Sequence, residues 1–228
     1  MTIQEIHKLI LFILKKEQNG YISHEEIDSV LDRAQLVLFN QYHTNPKVPA
    51  LTARYGESQR IDDALSAFKA RYTFTTADTG GGVVSLPSNY MHLISLYTTT
   101  YSNVLQKNIF NAVQVLNEEE LIERLNSQVI PVTSDDPICI MNASNKIQLF
   151  PDIPQSGGVY YFRRPAVPKY NYTLSGRTET YVSNGSQDLE WRSFDILNII
   201  TIALSYYSIR LSAEDVLQFA ELKTAQGQ

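Results

Sequence analysis

The stretch Ile196-Leu197-Asn198-Ile199-Ile200-Thr201-Ile202-Ala203-Leu204 constrains this chain more than any other. At helical spacing it is apolar on nearly every side, so it has to be covered all round. The other strong helical stripes lie at the opposite end of the chain. Ile3, Ile6, Leu9, Ile10 and Ile13 recur at helical spacing, and so do Ile27, Val30, Leu31, Ala34 and Leu38. The simplest way to bury the late helix is to bring both ends of the chain together in one bundle. What lies between must then leave the bundle and return to it.

The middle has a different period. Tyr72-Thr73-Phe74-Thr75 and Val83-Val84-Ser85-Leu86 are β-branched or aromatic and alternate, with Asp78-Thr79-Gly80-Gly81-Gly82 as a turn between them. This pattern predicts a β-hairpin. Further strands are expected over Met91–Tyr101, Ile138–Met141, Lys146–Phe150, Val159–Arg163 and Thr178–Val182. Asn117-Glu118-Glu119-Glu120 opens a short helix to about Leu125, its acids at the positive end of the helix dipole. Ser58–Ala70 and Ser212–Ala225 read as further helices, and Pro46 and Pro49 mark a linker. The expected fold is α+β, a bundle of N- and C-terminal helices with an inserted antiparallel β domain. Its parts are expected at 1–70, 71–191 and 192–228.

Thr2-Ile3-Gln4-Glu5 and Ser23-His24-Glu25-Glu26 are capping boxes. The second explains the half-rhyme of Lys15–Glu26 with a calcium loop, in which Asn19, Gly20 and Glu26 fall on template positions. Lys15 holds the first ligand position, where a cation repels the metal and removes a needed carboxylate. An αα-hairpin with a glycine turn accounts for the same residues.

Searches for chemistry find little. Gly80-Gly81-Gly82 is followed by Val83 instead of Lys and Ser/Thr, so it does not match a phosphate loop. His7, His24, His43 and His92 show no metal-binding spacing, and His7 and His24 are expected on solvated helix surfaces or caps. Asp135-Asp136 precedes a proline and reads as a turn. No Gly-x-Ser-x-Gly elbow occurs. Cys139, the single cysteine, lies in an apolar run and reads as an inert core thiol. The expectation is a non-enzymatic chain with no catalytic, metal or cofactor-binding residues. The net charge of −5 is the wrong sign for a whole-domain grip on nucleic acid. Leu9–Leu14 is too short for a signal-peptide core or a membrane span. The chain is therefore expected to stay where it is made, or to be assembled there, without membrane contact.

Thr2-Ile3-Gln4-Glu5-Ile6 with Lys16-Glu17-Gln18-Asn19-Gly20-Tyr21-Ile22-Ser23 is similar to virion proteins of tailed phages of Bacteroidetes hosts, the crAss-like group among them. So are Leu86-Pro87-Ser88-Asn89-Tyr90-Met91-His92-Leu93, Tyr161-Phe162-Arg163-Arg164-Pro165 with Pro168-Lys169-Tyr170, and Ser186-Gln187-Asp188-Leu189-Glu190-Trp191. The layout also resembles the head–tail connector proteins called tail tubular protein A. The resemblance implies a structural subunit of the virion that forms a homo-oligomeric ring, commonly of twelve copies, below the portal. It would contact the portal and neighbouring tail-ring or fibre proteins, and DNA would pass through it transiently on ejection. Candidate contact residues are Asp78, Gly80, Gly81 and Gly82 in the turn, Arg163 and Arg164, Tyr170 and Tyr172, and Leu217, Phe219 and Leu222 in the last helix. Alternatives are a fibre adaptor, a cargo or head-completion protein, an enzyme, or a carbohydrate-binding module using Tyr160, Tyr161 and Tyr170.

Overall fold

The computed structural model describes residues 1–16, 22–44, 55–142, 145–153, 155–176, 178–207 and 218. In chain order they form helices α1 (Ile3–Lys16), α2 (His24–Thr44) and α3 (Tyr55–Ser66), then strands β1 (Lys69–Phe74), β2 (Val83–Ser85), β3 (Tyr90–Ser102), β4 (Lys107–Ala112) and β5 (Gln114–Val115). Helix α4 (Glu118–Leu125) precedes β6 (Ile138–Asn142), β7 (Lys146–Phe150), β8 (Ser156–Arg163), β9 (Tyr172–Ser175), β10 (Thr178–Tyr181) and helix α5 (Ser193–Tyr206). The class is α+β, as expected. Two compact units result, one from Met1–Ala67 with Pro165–Gln228 and the other from Phe68–Arg164.

In the helical unit both capping boxes form. Thr2 N donates to Glu5 Oε2 at 2.8 Å, and Glu5 N to Thr2 Oγ1 at 3.3 Å. Ser23 N donates to Glu26 Oε2 at 2.9 Å, and Glu26 N to Ser23 Oγ at 3.3 Å. Each box satisfies two amide donors that a helix start leaves without partners. Helix α1 buries Ile3, Ile6, Leu9, Ile10, Ile13 and Leu14, and α2 buries Ile27, Leu31, Ala34, Leu38 and Phe39. Helix α5 packs mainly on α2 and more lightly on α1. No residue of α5 from Asp195 to Leu204 is exposed, as its composition demands. Its one buried acid, Asp195, accepts a hydrogen bond from the Tyr42 hydroxyl of α2 at 2.7 Å. The expected last helix over Ser212–Ala225 and the glycine turn at Gly20 lie outside the described residues.

The expected boundary at residue 191 falls instead after Arg164. Residues 165–191 belong with the helices because their polar groups bond there. Gln35 Nε2 of α2 donates to Ala166 O at 3.0 Å, and Ile3 N at the start of α1 donates to Asp188 Oδ1 at 2.6 Å. Among the described residues, strands β9 and β10 pair only with each other, from Thr178 opposite Ser175 to Tyr181 opposite Tyr172.

The β unit contains two four-stranded sheets, ordered β1-β8-β3-β4 and β2-β7-β6-β5. All pairs are antiparallel except β5 with β6. Phe74, Val84, Leu96, Ile147, Leu149, Val159 and Tyr161 from both sheets share one apolar core with Cys139. The expected hairpin of residues 72–75 with 83–86 does not form. Strand β1 pairs with β8, and β2 with β7. Both candidate strands exist, but each finds its partner far along the chain, 65 residues away for Val83 opposite Gln148 and 93 for Lys69 opposite Phe162. The expected helix over Ser58–Ala70 also ends earlier, because Lys69 and Ala70 already pair with Phe162 and Tyr161.

Candidate interaction surface

The turn singled out from sequence is partly internal. Asp78 Oδ2 accepts from Thr75 N and from Thr75 Oγ1, both at 2.8 Å. The Thr75 amide, and then its hydroxyl, hold the Asp78 carboxyl below the usual carboxylate range. Gly80 and Gly81 are exposed, whereas Gly82 is buried. Gly82 has φ +71°, and a β-carbon there would lie 2.7 Å from both Asp152 Oδ1 and Leu149 O. The turn is therefore fastened to the end of β7, and only Asp78, Gly80 and Gly81 present a surface.

Arg163 and Arg164 sit at the end of β8. The Arg163 guanidinium lies 5.7 Å from the Phe68 ring centre, a cation–π distance, and Arg163 N donates to Phe68 O at 2.8 Å. Arg164 is exposed. Leu217, Phe219 and Leu222 lie outside the described residues.

Tyr170 and Tyr172 face their own helices. Tyr170 stacks on His7 and His24, with ring centres at 4.6 and 4.1 Å. The Tyr172 hydroxyl donates to Glu25 Oε1 at 2.8 Å. Tyr161 is a core residue at 4% exposure, so Tyr160, Tyr161 and Tyr170 do not make one sugar-stacking platform.

His7 and His24 correct the sequence reading. His7 is 1% exposed, and the His24 side chain 11%. The signal was present: His7 is four residues after Ile3 and three before Ile10, on the buried stripe of α1. Its Nε2 meets Asp28 Oδ1 at 2.9 Å, its Nδ1 meets His24 Nδ1 at 2.8 Å, and His24 Nε2 meets Glu179 Oε2 at 3.1 Å. An ionised carboxylate only accepts, so both Nε2 atoms must carry protons. Two neutral rings, each with its proton on Nε2, satisfy both carboxylate contacts, and the two Nδ1 atoms then face each other. This chain of bonds links α1, α2 and β10. Asp28 Oδ2 also accepts from Tyr170 N at 2.9 Å, which ties in the returning segment.

Burial is the largest influence on His7 and pushes it below its usual value of 6.5, against the pull of Asp28. A histidine depressed in the folded state takes up protons more readily when unfolded. Its contribution is present above the unfolded value and is lost as pH falls below it. The groups facing the pair are Asp28 and Glu25 of α2, Tyr170, Tyr172, Glu179 and Tyr181. Urea unfolding of the helical unit is expected to weaken from pH 6.5 downward, by up to about 1.4 kcal/mol per pH unit. Stability that stays level between pH 7.5 and 5 would show that His7 is not held in this way.

The largest exposed apolar features among the described residues lie in the β unit. On the β3–β4 connection Val104 is 91% exposed, and Tyr101, Leu105 and Phe110 are exposed as well. On and after α4, Ile122, Leu125, Val129 and Ile130 are exposed. On one sheet's outer face the Arg71 guanidinium lies 5.6 Å from the ring centres of both Tyr97 and Tyr160. Sequence reasoning missed the first of these patches because β4 reads backwards. Phe110 points out, while Asn111 is turned inward and donates to Thr100 Oγ1 at 3.0 Å and to Ser134 O at 2.9 Å. No family model matches the chain, and the comparison with curated proteins gives no match.

Proposed function

We propose that this chain is a structural subunit of a phage head–tail connector or tail ring, self-associating below the portal to join capsid to tail and surround the path of DNA. The observation that carries this reading is the pair of different exposed apolar patches on the β unit, at the β3–β4 connection and along α4. A ring that closes by rotation needs two unlike surfaces on each copy, one to meet the other on the next copy. Apolar patches of this kind on a soluble domain mark contact sites. The resemblance of Leu86–Leu93, Tyr161–Tyr170 and Ser186–Trp191 to tailed-phage virion proteins supports the same reading. So does the net charge of −5, since each phosphate neutralised by Lys or Arg would add salt-dependent affinity to passing DNA.

Native mass spectrometry of the purified chain, alone and mixed with the portal protein of its virion, tests the proposal. The expected result is a single higher oligomer, with the chain also recovered from purified virions by mass spectrometry. A chain that stays monomeric with the portal present, and is missing from virions, overturns it.

A further inference from the structure

Asn103-Val104-Leu105-Gln106 joins β3 to β4, and every residue from Asn103 to Asn108 is exposed. Turns of this length usually carry Gly, Asn, Asp, Pro or Ser, each for a conformational reason. Here two aliphatic residues stand at the tip instead. Gln106 takes a left-handed φ of 50°, where glycine is the easier choice. The turn is fixed from within, because Leu105 N donates to Ser102 Oγ at 3.2 Å. The result is a fixed apolar projection with one cation beside it. Lys107 is the only charged residue between His92 and Glu118.

Elsewhere in the same unit a groove of about 370 Å³ runs between β5 and α4. Leu116 and Ile130 line it with Gln114, Glu120, Glu123 and Arg124. Arg124 is already committed: its guanidinium donates to Ile130 O and to Asp136 Oδ2. Helix α4 carries Glu118, Glu119, Glu120 and Glu123 against that one arginine. The groove therefore offers two apolar side chains together with an excess of acid, and the projection is apolar at its tip and basic at its flank. Val104 is 91% exposed, so the tip does not fill its own chain's groove.

We infer that the β3–β4 tip of one copy seats in the β5–α4 groove of a second copy, with Val104 and Leu105 against Leu116 and Ile130 and with Lys107 beside Glu120 and Glu123. The contact is head-to-tail, because tip and groove are different surfaces, so each copy keeps one of each for its two neighbours. The pairing rests on the ring reading proposed above and names the interface that reading leaves open.

Site-directed cross-linking tests the pairing. The only native thiol, Cys139, is fully buried, and burial pushes it up to about 12, so it stays silent. Leu105→Cys chains mixed with Gln114→Cys chains and mildly oxidised are expected to give a disulfide-linked heterodimer, with about tenfold less linked product from either variant alone. Adding Lys107→Glu to the tip chain is expected to cut the yield by about tenfold, and adding Glu123→Lys to the groove chain to restore it. Absence of the heterodimer, or a yield indifferent to both charge reversals, overturns the pairing. Native mass spectrometry of the unaltered chain separates the two ideas. An oligomer that gives no tip–groove cross-link overturns this interface and leaves the ring standing, whereas a chain that stays monomeric with the portal present and is missing from virions overturns both.

Discussion

Gly157→Ala is expected to unfold the β unit at denaturant concentrations where the wild-type unit is intact. Gly157 lies in β8, between Phe74 of β1 and Thr98 of β3. A β-carbon there would overlap the Tyr97 carbonyl oxygen and would sit 2.8 Å from Phe74 Cζ and 3.0 Å from Thr98 Cα. Two of these obstacles are backbone atoms of the neighbouring strand, so no rotamer change relieves them. The sheet has to part locally, at a cost of about 3 kcal/mol or more. Gly80→Ala is the matched control. A β-carbon at Gly80 has nothing within 4 Å, so a change within about 0.5 kcal/mol is expected. The single tryptophan, Trp191, is buried in the helical unit, so its fluorescence reports that unit while far-ultraviolet dichroism includes the sheets. In Gly157→Ala the dichroism transition is expected to move to lower urea ahead of the fluorescence transition. Wild-type-like unfolding would mean that β8 does not pass this close to β3.

Asp28→Ala is expected to give the second large effect, this time in the helical unit. One carboxylate serves two donors there, His7 Nε2 and Tyr170 N, each at 2.9 Å. Removing it strands a proton on a histidine that is 1% exposed, together with a half-buried backbone amide. Unsatisfied buried groups cost about 1–3 kcal/mol each, so a loss of about 3 kcal/mol is expected in urea unfolding followed by Trp191 fluorescence. Asp28→Asn keeps the shape and loses the charge. Its amide group turns a donor towards one of the two donors, so the variant should recover less than half of the loss. If Asp28→Ala unfolds within about 0.5 kcal/mol of wild type, the histidine pair does not fasten α1, α2 and the returning segment.

Legibility in the sequence follows how local each determinant is. Capping boxes and apolar stripes act within a few residues, so α1, α2, α4 and α5 could be placed from Thr2, Ser23, Asn117 and the Ile196–Leu204 run. Strand identity was legible at β6, β7 and β8 for the same reason. Strand partners were not, because pairing Val84 with Ile147 is a choice made across more than 60 residues, and nothing in either strand announces it. Strand β4 escaped notice because an outward phenylalanine and an inward asparagine invert its pattern. The histidine pair shows a third kind of limit. The burial of His7 followed from its place on the α1 stripe, but its partners Asp28, His24, Tyr170 and Glu179 come from segments that only the fold brings together. Of the residues first considered for contacts, Gly82, Tyr170 and Tyr172 are engaged within their own unit. The exposed apolar residues at 104–105 and 122–130 carried no motif to mark them.

The discontinuity of the helical unit sets a timetable for biosynthesis. Helices α1 and α2 emerge from the ribosome early, but α5, which covers them, begins only at Ser193. At roughly 5–20 residues per second, nearly 150 residues of delay leave their apolar stripes waiting on the order of ten seconds. The β unit, complete by Arg164, can close during that interval, since its first and last strands are direct neighbours. The nascent chain therefore carries a finished sheet module next to an unfinished bundle. Truncations between residues 165 and 192 should yield products that a chaperone retains through Ile3, Ile6, Leu31 and Leu38.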